Sequence, residues 1–140
     1  MRIAIICEYF YPDNSGGTPT DLAELARCLK DTHSDIEIDV ITSRNLYRPT
    51  GKLTRLASHE DWLGINIRRL GVPKSNRRSM VLRLLAGAVF SLLALWHLLW
   101  KRSHDLVLVV TNPPSNAFAA WAYSKLHGIP YVYLINDLYP

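Results

Sequence analysis

Two periods of apolar residues alternate along the chain. An unbroken run, Ile3 to Cys7, follows Arg2 and stops at Glu8, which predicts a first strand leading into Tyr11-Pro12. After Gly16-Gly17, apolar Leu22, Leu25, Ala26 and Leu29 recur at i, i+3, i+4 and i+7, so one helix face packs on a sheet. Thr18 can cap that helix, with Pro19 at its first position and Asp21 three residues on. Ile36 to Thr42 alternates before turning continuous, a second strand, and Gly64 to Leu70 reads as a third. Between them, Ser43 to Leu63 is mixed, is broken by Pro49-Thr50-Gly51, and reads as a long loop with little structure. Asp105 to Thr111 and Pro130 to Ile135 are nearly continuous apolar runs, as strands covered on both faces require. A helix over Ser115 to His127 separates them, preceded by Pro113-Pro114 and stopped by Gly128. The β-α-β order predicts an α/β domain, a Rossmann-like doubly wound parallel sheet, with ligands at the carboxyl ends of its strands.

The segment from Ser79 to Trp100 fits this scheme and exceeds it. Leu84 to Trp100 is seventeen residues without a formal charge, just short of a membrane span. Arg77, Arg78 and Arg83 flank one end and Lys101 and Arg102 the other. At about 100° per residue, Ser79, Arg83, Gly87, Ser91, Ala94, His97 and Lys101 gather in one sector, with Leu85, Val89, Leu92, Trp96 and Leu99 largely opposite. A helix lying in a membrane interface, with Trp96 and Trp100 at headgroup level, suits that weakly polar stripe best. A helix buried on the sheet and a true span remain open alternatives.

Composition narrows the class. The 140 residues suffice for one domain with a real core, and 49% hydrophobic against 20% charged residues reads as globular, or globular with a membrane-touching part. A net charge of +4 suits phosphates or anionic headgroups, and no nucleic-acid recognition motif accompanies it. Cys7 and Cys28 lack metal-like spacing and read as buried free thiols. The apolar run after Arg2 is too short for a signal peptide.

The candidate chemistry lies in three loops that the fold would bring together. Adjacent Gly16 and Gly17 between a strand and a helix let a phosphate or sugar hydroxyl approach backbone N–H groups, with the helix dipole favouring negative charge. A turn that merely eases a strand–helix connection would look the same. The spacing is not the dinucleotide-binding Gly-x-Gly-x-x-Gly. Asn112 ends one later strand; Asn136, Asp137 and Tyr139 end the other. Asp137 could accept a hydrogen bond from a substrate hydroxyl or act as a base; the bland alternative is a turn residue, and Asn112 before Pro113-Pro114 is equally ordinary loop chemistry. Neither a nucleophile–base pair nor a metal-ligand spacing stands out around Ser115 or His33, His59, His97, His104 and His127.

These residues in this order resemble family 4 glycosyltransferases. Tyr11-Pro12, Gly16-Gly17 and the helix with Leu22-Ala23-Glu24-Leu25-Ala26-Arg27-Cys28-Leu29 are similar to that family's opening. Val40 to Ser43, Gly64-Ile65 into Arg68-Arg69-Leu70, and Asp105 to Pro114 follow its later strands. Asn136-Asp137-Leu138-Tyr139-Pro140 is similar to the (H/R)-D-(L/I)-W-P motif of members that build bacterial surface polysaccharides, with Asn136 in place of His or Arg and Tyr139 in place of Trp.

The resemblance implies the amino-terminal, acceptor-binding half of a GT-B enzyme, a retaining hexosyltransferase-type glycosyltransferase. Its donor would be a UDP- or GDP-linked nucleotide sugar, and its acceptor a lipid-linked glycan on the cytoplasmic face of the membrane. On that reading Gly16 and Gly17 lie beside the donor phosphates, and Asp137 orients or deprotonates the acceptor hydroxyl. Asn112, Asn136 and Tyr139 contact the acceptor, while Lys74, Arg77, Arg78, Arg83, Trp96 and Trp100 meet the membrane and the acceptor lipid. No metal or cofactor is implied. The 140 residues would form an incomplete acceptor domain without the carboxyl-terminal nucleotide-sugar domain and its Glu-x₇-Glu motif, inactive alone. The rival is a non-enzymatic, membrane-associated Rossmann-like module that binds a phosphorylated ligand or a partner chain. A nicotinamide oxidoreductase is disfavoured, because Thr42 and Ser43 close the second strand where an acidic residue is needed.

Overall fold

The computed structural model describes residues 1–13, 17–47, 55–73, 79–100 and 104–135. The elements run β1 (Arg2–Ile6), α1 (Thr18–Thr32), β2 (Glu37–Ser43), β3 (His59–Trp62), β4 (Ile65–Leu70), α2 (Met80–Trp100), β5 (Leu106–Val110), α3 (Asn116–His127) and β6 (Tyr131–Leu134). They form one six-stranded sheet ordered β3-β4-β2-β1-β5-β6. Every neighbouring pair is parallel except β3 with β4.

The continuous apolar strands divide their side chains between two cores. In β1, Ile3 and Ile5 join one core while Ala4 and Ile6 join the other; in β5, Leu108 and Val110 oppose Val107 and Val109. Helix α1 covers the first core with Leu22 and Ala26, and α2 and α3 cover the second with Phe90, Ala94, Leu98, Ala120 and Tyr123. Both faces being covered is why β1 and β5 read as unbroken rather than alternating. β6, expected to be covered likewise, is the sheet edge and leaves Tyr131 and Val132 exposed. The chain leaves β1 toward β2 on one side and later returns to β5 on the other. The resulting switch point, where sheets of this kind bind their ligands, lies at the carboxyl ends of β1 and β5.

The opposite, amino-terminal end of the sheet is closed by charge. Asp39 of β2 accepts hydrogen bonds from Arg2 Nε at 2.7 Å and from Asn66, and lies 3.0 Å from His104 Nε2. Asp39 and His104 are both buried, so this network ties four strands' ends together without facing the switch point.

Three further sequence expectations need correction here. The stretch from Ser43 to Leu63 is not all loop: β3 pairs antiparallel with β4 through a two-residue turn at Leu63-Gly64, where φ is 54° and 75°. Those paired positive values make the hairpin turn that matches strand twist, and Gly64 N–H donates to Asp61 Oδ1 at 3.1 Å. Thr18 does not cap α1; it is the first helical residue, and Gly17 holds the capping position with φ 69°. Cys7 is buried as expected, but Cys28 is exposed, because α1 turns only Leu22 and Ala26 fully inward.

Helix α2 carries the largest difference. Its small, weakly polar stripe faces the protein: Gly87, Ser91 and Ala94 are buried, while Leu85, Leu92 and Trp96 are exposed. The weakly polar stripe is thus the packing face, as a helix packed on the sheet requires. Small residues let the helix approach α3, and Ser91 Oγ lies 2.8 Å from both Ser115 Oγ and Asn116 Oδ1.

Candidate functional site

The switch-point edge is built first from the end of β1. Two donors from β2, Ser43 N–H and Thr42 Oγ1, hold the Glu8 carbonyl at 3.1 Å each. Beyond it the chain runs Tyr9 to Asp13 with a cis Tyr11–Pro12 bond. Arg69 Nη2 donates to the Tyr11 carbonyl at 2.7 Å, and Nη1 pairs with Glu60 Oε2 at 2.7 Å. Tyr11 stacks on Trp62 with ring centroids 4.4 Å apart, and the Asp13 carboxylate accepts the Tyr47 N–H. The loop that leads into the glycine pair is therefore anchored by β2, by β4 and by the β3 hairpin.

Glu8 is the titratable group that stands out. Its carboxyl is half-buried, and desolvation raises it above the ordinary carboxylate range. A hydrogen bond with Tyr9 and the positive charge of Arg83 oppose that shift in part. Cys7, one residue earlier, is fully enclosed; burial pushes its thiol up to about 12, against a smaller lowering by its hydrogen bond with Thr42. A neutral, unreactive thiol follows.

Gly17 opens α1 at the same edge. Its φ of 69° and ψ of −146° lie in a region that only glycine occupies at low cost, although a Cβ there would meet open space. The requirement is conformational rather than steric. Thr20 N–H and Asp21 N–H point back to the Gly17 carbonyl, no side chain caps the first turn, and Thr20 Oγ1 is buried without a partner among the described residues. Pro19 has no N–H, and the Thr20 and Asp21 donors are taken by these bonds. An anion here meets the positive end of the helix dipole, with the Gly17 N–H outside these bonds.

Asn112 sits exposed after β5, followed by a cis bond to Pro113. The Asn112 carbonyl accepts from Asn116 Nδ2 at 3.4 Å, linking the loop to the start of α3. Asn112 follows β5 and Gly17 opens the helix that follows β1, and β1 and β5 are adjacent parallel strands paired through Ile6 and Val109.

The remaining expected residues do not form one group. Gly16, Asn136, Asp137, Tyr139, Lys74, Arg77 and Arg78 lie outside the described residues. Arg83 lies in the first turn of α2, where its charge reaches Glu8. Trp96 and Trp100 occupy the far end of α2, their rings 6.2 Å apart. Thirteen residues separate Arg83 from Trp96, about 20 Å along a helix. No cluster of three potential metal ligands occurs among the described residues.

Sequence reasoning missed two members of this edge. Arg69 was legible: Ile65, Ile67 and Arg69 share one face of β4, and period two turns the arginine inward with the isoleucines. Glu8 had a weaker signal, a lone carboxylate ending an apolar strand at its carboxyl end.

Comparison with known proteins sets this edge in a family. Two structures of the C-terminal domain of PF1911 hydrogenase from Pyrococcus furiosus share the fold. The one of residues 83–215 has TM-score 0.59 at 17% identity over 95% of this chain and 90% of that one. The one of residues 78–226 has TM-score 0.54 at 15% identity over 98% and 90%. A UGT transferase from Siraitia grosvenorii in complex with UDP overlaps more slightly, TM-score 0.46 at 11% identity over 97% of this chain and 24% of that one, and bears no weight. No curated protein matches the chain. The profile of the glycosyl transferase 4-like domain matches residues 16–140, from the glycine pair to the last residue of the Asn136–Pro140 segment. The chain belongs to the glycosyl transferase 4-like domain family.

Proposed function

We propose that this chain is the acceptor-side domain of a retaining, hexosyltransferase-type glycosyltransferase, with a UDP- or GDP-sugar as donor and a lipid-linked glycan as acceptor in polysaccharide synthesis. The observation that carries the reading is the glycine-opened start of α1 after β1, with Glu8 ending β1 and Asn112 following the adjacent β5, in a chain of this family. Gly16 and Gly17 lie against the donor diphosphate, where backbone N–H groups and the helix dipole offset its charge. The donor nucleotide is gripped by a second, carboxyl-terminal domain of the same protein. Asn112, Asn136 and Tyr139 hold the acceptor.

Transfer with retention needs positioning more than a protein nucleophile. The acceptor oxygen bonds to the anomeric carbon from the face on which the bond to the departing diphosphate breaks. The hydroxyl proton passes to Asp137 or to the departing oxygen. Glu8 is a second carboxyl at this edge, raised above the ordinary carboxylate range by desolvation, and can hydrogen-bond a sugar hydroxyl. The enzyme works peripherally at the cytoplasmic membrane face, where such acceptors are anchored.

The test is an amide-shift titration by NMR of this chain with a short-chain polyprenyl-diphosphate disaccharide, and separately with UDP- and GDP-sugars. Shifts at Asn112 with the glycan, and weaker shifts at Gly17 with the nucleotide sugars, whose nucleotide is held by the second domain, are expected. Absence of any shift at the carboxyl edge with all three would overturn the reading and favour a non-catalytic module.

A further inference from the structure

Helices α2 and α3 form the cover of one sheet face, yet their outer surface is not that of a water-facing layer. Leu85 (57% exposed), Leu92 (65%) and Trp96 (65%) point away from the sheet, and α3 adds Phe118 (75%) and Trp121. The 21 residues of α2 and 12 of α3 carry two formal charges, Arg83 and Lys125, both positive. A water-facing surface has roughly a quarter to a third charged residues of mixed sign. An exposed apolar face of this extent marks an interaction site.

Charge identifies what covers it. After position 61 the chain has nine Lys and Arg against two Asp, whereas the first 61 residues have seven against ten. From Val72 to His104, the segment that contains α2, there is no acidic residue at all. Bases bracket the helix in sequence at both ends, Arg77 and Arg78 before it and Lys101 and Arg102 after it. A second copy of the chain on this face would bring no acidic residue of α2 or α3 to meet Arg83 and Lys125. An anionic bilayer surface meets them with opposite charge and accepts the leucine and tryptophan side chains between them.

We propose that the outer face of α2 and α3 is a lipid-docking surface, on which α2 lies in the plane of an anionic membrane rather than across it. The helix is long and apolar enough to span. Its inner stripe forbids that: Phe90, Ala94 and Leu98 are wholly buried in the second core, and Ser91 is hydrogen-bonded to the start of α3. Spanning would strip β1 and β5 of their cover. The docked pose also puts the first turn of α2, with Arg83, beside the lipid surface. This rests on the membrane-acceptor part of the proposed function, but not on catalysis.

The experiment is co-sedimentation of the chain with vesicles of phosphatidylcholine alone or with phosphatidylglycerol added. Binding is expected to need the anionic lipid and to weaken as salt rises to about 0.5 M, where screening is short-ranged. Leu85→Ser, Leu92→Ser and Trp96→Ser together should cut the bound fraction by about tenfold or more, since three apolar anchors are lost. Circular dichroism checks that the variant keeps its fold, as side chains pointing outward allow. An alkaline carbonate wash should release the bound protein. Retention through that wash would overturn the in-plane pose, and absence of binding with a salt-stable dimer that the triple variant dissociates would overturn the lipid surface. Glycan binding at Asn112 is read by NMR without vesicles, so either result can fail while the other stands.

Discussion

Gly87 of α2 faces Pro113 so closely that a Cβ on the glycine would lie 2.7 Å from the proline Cβ. The outward apolar helix and the loop bearing Asn112 are therefore in direct contact, and glycine is what permits it. Alanine would favour the helix by up to about 1 kcal/mol of propensity. Against that, overpacking a rigid ring costs about 1–3 kcal/mol. Gly87→Ala should accordingly lower stability by about 1 kcal/mol in urea unfolding and shift the Asn112 amide. A stability gain would mean that the two helices part easily, and that the contact positions nothing.

Glu8 gives the pH dependence its sign. Desolvation raises its carboxyl in the folded state, so between the unfolded and folded protonation ranges the native protein binds more protons than the unfolded one. Stability from this group is therefore present at low pH and lost as pH rises from the ordinary carboxylate range through the raised folded value. Glu8→Gln removes that loss. Melting temperatures of the two proteins should be close at the acidic end of the window and separate toward neutral pH, with the variant higher. Parallel curves would show that Glu8 is better solvated or better paired than its position at the end of β1 implies.

How much was legible beforehand follows from which residues had a single physical reading. Asp105 to Thr111 reads as a strand covered on both faces, and β5 is one. Pro130 to Ile135 has the same unbroken apolar run, yet β6 is the sheet edge with Tyr131 and Val132 exposed, because a run of apolar residues does not say whether a neighbouring strand follows. Gly128, at φ 68°, could only end a helix. β3 was hidden because His59-Glu60-Asp61-Trp62 has no β-rich pattern, and its turn is Leu63-Gly64 rather than the familiar Asn-Gly. Its strand character comes from pairing with β4, a tertiary effect. The orientation of α2 stayed open for a related reason. Periodicity separates two faces of a helix but does not say which meets water, and here Gly87, Ser91 and Ala94 serve close packing. At the site, the glycine turn and Asn112 were visible as loop chemistry at strand ends. The role of Glu8 depends on desolvation, which no local pattern encodes.

The two cysteines should separate cleanly in alkylation. Cys7 is enclosed beneath the β1–β2 edge with its thiol pushed up to about 12, so almost none is thiolate at neutral pH. Cys28 is exposed on α1. Iodoacetamide on the native protein should add one group, mapped to Cys28 by mass spectrometry, and a second only in denaturant. Rapid native labelling of Cys7 would mean that the end of β1 opens readily, and the switch-point edge with it.

Asp137 and Glu8 make different predictions for the parent enzyme, and the difference tests how the acceptor is activated. If Asp137 takes the acceptor proton, Asp137→Asn keeps its shape and removes the base. kcat should then fall by about 10²–10⁴-fold with KM for the acceptor little changed. Glu8, desolvated and protonated more readily, acts by hydrogen-bonding a hydroxyl, which glutamine can still do. Glu8→Gln should then raise the acceptor KM while leaving kcat within about tenfold. The two profiles reversed would move the base to the end of β1, beside Arg83. An unchanged kcat in both would return Asp137 to a turn residue and leave catalysis to positioning by the glycine pair.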